Sequence, residues 1–102
     1  MPVLSSVEVR VQVVAFAGAM ERKLKENDHK GGWLHLNNGT IMARIEQELQ
    51  ELREALAAKD PLRIGREAAD VGNFLMMLCQ NNRALGTAGN DAPCRSLDGA
   101  VR

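Results

Sequence analysis

The chain has 102 residues, 13 basic and 13 acidic side chains with a formal net charge of zero, and 45% hydrophobic content. One domain suits that length, and the balanced charge argues against a nucleic-acid groove or a membrane surface as the main partner. Only Phe16, Trp33 and Phe74 are aromatic, so the core must come from Val, Leu, Ile, Ala and five Met, a mix suited to packed helices. Cys79 and Cys94 are too few for a disulfide framework and lack metal-ligand spacing; Cys79, in an apolar helical run, reads as a small buried hydrophobe. No charged leader with a hydrophobic run opens the chain, and no apolar stretch reaches ~18 residues, so a cytoplasmic protein is expected.

In chain order, Ser5 and Glu8 are spaced as a capping box, and the pattern predicts a helix over residues 5–26. Val9, Val13, Phe16, Ala17, Met20 and Leu24 supply its apolar stripe, with Lys23, Lys25 and Glu26 assigned to the polar side. The stretch NDHKGGWLHLNNG, residues 27–39, breaks every periodicity and reads as a loop. It nevertheless holds the single Trp, both His and Lys30. A second helix is expected over residues 40–59, with Ile41, Ile45, Leu49, Leu52 and Leu56 inward. Asp60 and Pro61 then stop one helix and start the next, as N-cap and first-turn proline.

The third helix is expected over residues 61–85, ending at Gly86, with Ile64, Ala68, Val71, Phe74, Leu75 and Leu78 on its core face. Residues 87–102 lack periodicity and read as a flexible tail, leaving residues 1–86 as the domain. The expected fold is an all-α bundle of three main helices. Their apolar faces exceed what a monomer can bury, so homo-oligomerisation, as homodimer or homotetramer, is expected to complete it.

At ~100° per residue, Glu46, Gln47, Gln50, Arg53 and Glu54 point away from the apolar stripe of the second helix. Glu48 does not: it lies between Ile45 and Leu52, and Glu51 sits at the stripe's edge one turn later. On the third helix Glu67 falls among Val71, Phe74 and Leu78, followed by Asp70 and Asn73 along one polar ridge. Two adjacent helices would each bring an acidic pair inward, and four converging carboxylates repel unless compensated. A divalent metal resolves the conflict, and oxygen-only ligands favour Mg²⁺ or Mn²⁺ over zinc. The competing account is an ion-pair network in which Arg44, Arg63 or Arg66 neutralises the same acids.

The acidic pattern resembles that of the MazG-like nucleoside triphosphate pyrophosphohydrolases, an all-α superfamily whose members carry EExxE, a spacer and ExxD. Here the first part reads QELQE (residues 47–51) and the second EAAD (residues 67–70), with fifteen residues between Glu51 and Glu67. Gln47 stands where the pattern has its leading Glu, while the four positions associated with metal are Glu48, Glu51, Glu67 and Asp70. The segment AFAGAMERKLKENDHKGGW (residues 15–33) is similar to the N-terminal part of phage and bacterial members with a KGGW loop, so the resemblance covers roughly residues 8–83.

The resemblance implies Mg²⁺-dependent hydrolysis of a (deoxy)nucleoside triphosphate to monophosphate and pyrophosphate, in nucleotide-pool house-cleaning or pool shaping. Glu48 or Glu51 would activate water, Lys30 would contact phosphate, and Gly31 and Gly32 would let the loop backbone approach the ligand. Trp33 would stack on the base or cap the helix ends, and Asn73 would bond the sugar or a ligand carboxylate. His29 and His35 read as solvated loop residues. The alternative is a noncatalytic helical interaction module whose acids form ion pairs. A di-iron bundle would want Glu-x-x-His pairs, which the sequence lacks.

Overall fold

The computed structural model describes residues 3–4 and 7–94. The fold is all-α, built on three main helices, as expected. A two-residue antiparallel pairing precedes them, Val3–Leu4 (β1) against Val7–Glu8 (β2), in the register Val3↔Glu8 and Leu4↔Val7. The first helix, α1, spans Val11–Glu26, with Arg10 at its N-cap. It therefore starts later than the capping-box expectation: Glu8 belongs to β2, and Ser5 lies outside the described residues. Residues 7–13 alternate valine with polar residues at a period of two, which favours extended backbone over helix. Val9, expected on the helical stripe, lies ahead of α1 and is buried there.

Helix α2 spans Asn38–Ala58, and the Asn37 side chain caps it by accepting from the Thr40 amide at 2.8 Å. Its buried line runs through Ile41 and Ile45 to Ala55. Leu56, expected inward, is 54% exposed. The line steps 41, 45, 48, 52, 55, so the helical drift of 3.6 residues per turn carries it away from Leu56 and through Glu48. Lys59, in the left-handed region at φ 53°, turns the chain into α3, Pro61–Asn81, where Asp60 accepts from the Arg63 amide at 3.2 Å. A connection this short makes α2 and α3 an antiparallel hairpin.

Helix α3 packs against both α1 and α2 and so forms the middle of the bundle. Gly72 allows the close crossing of α1: a Cβ there would stand 3.1 Å from Phe16 Cε2 and 3.4 Å from Met20 Sδ. Ala69, Asn73 and Gln80 are its buried residues, whereas Leu75, expected in the core, is 47% exposed. Cys79 is half-buried and, like Cys94, a free thiol.

The helix ends at Asn81, ahead of the expected residue 85, because Arg83 turns left-handed at φ 56°. After Gly86 a short helix, α4, covers Thr87–Asp91. Within the stretch expected as a flexible tail, residues 87–94 thus carry a short helix and contacts to α3. Gln80 Nε2 donates to the carbonyls of Ala92 (2.7 Å) and Asn90 (3.4 Å), and Asn90 Oδ1 accepts from the Leu85 amide. Buried side-chain amides replace the apolar periodicity that would have marked this packing in the sequence. Residues 95–102 lie outside the described residues. Among the described residues no helix is long and apolar enough to cross a membrane.

Candidate functional site

Because α2 and α3 run side by side, Glu48 meets Glu67 and Asp70. One carboxylate oxygen from each lies within 4.8 Å of the others, and all three residues are half-buried. Glu48 Oε2 and Glu67 Oε2 are shut off from solvent with no hydrogen-bond partner. Glu51, the fourth expected acid, is exposed and stays at the rim of this trio. It remains close enough to hydrogen-bond Glu48 and to act on the charge of Glu67.

The electrostatics follow from this crowding. Burial, the hydrogen bond with Glu51 and the charge of Asp70 push the Glu48 carboxyl up to about 8. Burial and the charge of Glu51 raise Glu67 as well. Asp70 is raised by burial and pulled back partway by Lys23. Repulsion among carboxylates in one partly desolvated spot is what a divalent cation or added protons would relieve. The donor set is oxygen only, and two of its oxygens have nothing else to bind, so the residues fit a hard cation such as Mg²⁺ or Mn²⁺.

Among the described residues, none of the three arginines considered from sequence makes an ion pair with Glu48, Glu67 or Asp70. Arg63 lies 3.5 Å from Glu54, and Arg66 grips Glu26 through two bonds of 2.9 and 3.1 Å. The cation at the cluster is Lys23, with Nζ 3.5 Å from Asp70 Oδ2. Its placement on the polar side of α1 is corrected by its 15% side-chain exposure. The signal was present in the wheel: residue 23 falls within about 20° of Phe16, at the edge of the apolar stripe.

Glu48 and Asp70 line a cleft of about 420 Å³, which Lys23, Lys30, Arg44 and Asn73 also border. Asp28 borders it too, so three cations and three carboxylates surround one opening, a mixture that suits a negatively charged ligand together with a metal. The loop forms the cleft's edge. Gly31 takes φ 86°, a conformation natural to glycine. Gly32 serves a different contact than expected: a Cβ there would collide with Cys94 Sγ, so its bareness makes room for the returning C-terminal segment.

Trp33 lines the cleft, but its indole N–H is committed, donating to Gln80 Oε1 at 2.9 Å. Asn81 Nδ2 holds the loop carbonyls of Trp33 and Leu36 at 2.9 and 3.1 Å. Neither Gln80 nor Asn81 stood out in the sequence, although Gln80 shares the wheel angle of Ala69 and Asn73. Asn73 is only 4% exposed; its Nδ2 donates to the Met20 carbonyl at 2.9 Å, and its Oδ1 has no partner. No family model, curated protein or solved structure matches the chain.

Proposed function

We propose that the protein is a MazG-like, Mg²⁺-dependent nucleoside triphosphate pyrophosphohydrolase that cleaves between the α and β phosphates, with a role in nucleotide-pool house-cleaning in the cytoplasm. The observation that carries this reading is the convergence of Glu48, Glu67 and Asp70, two of them with buried unpartnered oxygens, beside a cleft bordered by Lys23, Lys30 and Arg44. Glu48, Glu67 and Asp70 hold the cation, with Glu51 as a further ligand at the rim. A divalent ion so held would offset the negative charge of the phosphate oxygens.

The remaining steps belong to the side chains. Glu51, exposed and next to Glu48 and Glu67, is the better placed of the two candidate bases: it takes a proton from water as the water oxygen bonds to phosphorus and pyrophosphate departs. Lys30 steadies the phosphates, Trp33 offers an aromatic surface to the base, and Asn73 Oδ1 accepts from a sugar hydroxyl. The exposed valines of α1 are the surface that a second copy covers in a homodimer or homotetramer.

Incubation with each dNTP and Mg²⁺, followed by anion-exchange separation, tests the reading. Monophosphate plus pyrophosphate is expected, with Glu48→Ala and Asp70→Ala lowering kcat by at least about 100-fold while helicity is kept. Absence of turnover with every canonical and modified nucleotide would leave the noncatalytic interaction module as the better account.

A further inference from the structure

The contacts between α1 and α3 form three rungs, one helical turn apart and running in opposite directions along the two helices. Met20 meets Asn73 through a 2.9 Å hydrogen bond, Lys23 meets Asp70 at 3.5 Å, and Glu26 meets Arg66 through the two-bond grip. The outer rungs are short and directional. The middle one is longer than the ~2.7–2.9 Å of a charge-assisted hydrogen bond, so attraction of charge more than hydrogen bonding holds Lys23 to Asp70. Its second carboxylate neighbour, Glu26 at 3.6 Å, is already neutralised by Arg66. Lys23 is thus a shielded cation, loosely held, on the wall of the cleft.

A second observation on the same wall points to a ligand. Asn73, one turn along α3 from Asp70, is more than nine-tenths buried, yet its Oδ1 is unpartnered while its Nδ2 fixes α1 in place. The rung that Asn73 makes also sets where Lys23 stands, three residues beyond Met20. The cleft wall therefore carries a buried acceptor awaiting a donor and an ammonium that can exchange one anionic partner for another.

We propose that Lys23 is the internal counter-ion of the carboxylate cluster, and that it passes from Asp70 to a ligand phosphate when a divalent cation enters. The proposal rests on the metal-dependent reading of the site and assigns that site a residue beyond its acids and the loop lysine. Three clustered carboxylates, of which Asp70 alone is paired with the ammonium, keep an excess of negative charge. A divalent cation would cancel that excess, weaken the hold of Asp70 on Lys23, and leave the ammonium free to turn to an anion in the cleft. Lys23 therefore opposes the metal when the metal is alone and favours it when a polyphosphate is present. A simple structural lysine would not produce effects of opposite sign.

The test uses the full chain with Mn²⁺ alone, followed by calorimetry, and then inorganic pyrophosphate at saturating Mg²⁺, followed by the emission of Trp33. Lys23→Met is expected to bind Mn²⁺ about tenfold more tightly than the parent chain and pyrophosphate about tenfold more weakly. Lys23→Arg, which keeps the charge, is expected to stay within about threefold of the parent in both. Circular dichroism establishes that each variant is folded. Unchanged or weaker Mn²⁺ binding by Lys23→Met, or unchanged pyrophosphate binding, overturns the role of Lys23 and leaves the metal reading standing. A parent chain that binds no Mn²⁺, behaving like Glu67→Gln, overturns both.

Discussion

Glu48 shows how one side chain links stability to function. Its carboxyl is raised from 4.5 to about 8, so the folded state holds a proton that the unfolded chain releases. Metal-free stability is therefore full below about pH 4.5 and declines as pH rises through about 8. Glu67 and Asp70, also raised, act in the same direction. Thermal melts from pH 5 to 9 should show this fall, and saturating Mg²⁺ should reverse it most at the alkaline end, where the carboxylates are ionised. At 100 times its dissociation constant the ion contributes about 2.7 kcal/mol, on the order of 10 °C for a domain of this size. Glu48→Gln should flatten the pH dependence and remove the Mg²⁺ response. A Mg²⁺ response retained in that variant would separate Glu48 from the metal. The inward phase of Glu48 was legible from its neighbours Ile45 and Leu52. The identity of the cation beside Asp70 was not, because Lys23 and Asp70 meet across two helices 47 positions apart in the chain.

Among the elements, the loop over residues 27–37 and the segment over residues 86–94 depend on each other through α3. Gln80 accepts from Trp33 Nε1 on one side and donates to Ala92 and Asn90 on the other. Gln80→Leu keeps the volume and removes all three bonds, leaving the indole N–H and two carbonyls without this partner. We expect a loss of about 1–3 kcal/mol, a red-shifted Trp33 emission, and new proteolytic cleavage between residues 85 and 93. Unchanged emission and cleavage would mean that the segment holds the loop by other contacts. The helix ends follow the same division between local and distant causes. Asp60 and Pro61 announced the start of α3 because caps act within four residues of chain. The stop at Asn81 depends on Arg83 and the returning segment, which packs where helical periodicity predicted only more helix or a tail.

For the molecule as a whole, the outward face of α1 is the least satisfied surface. Val11 and Val14 are 68% and 42% exposed, and the helix has no buried residue. Light scattering at micromolar concentration should give two or four times the chain mass, and Val14→Lys should reduce it to one chain without unfolding α2 and α3. A parent chain of single mass would remove the oligomeric expectation.

The sequence by itself determined the all-α class, the α2–α3 hairpin and the inward turn of Glu48. These depend on helical angle and on caps, both of which are properties of neighbouring residues. Only the tertiary structure decided that Lys23 faces Asp70 and that residues 87–94 return to Gln80 and Trp33. Each of these depends on how helices cross, and a crossing is set by small contacts such as Gly72 against Phe16 that no periodicity encodes.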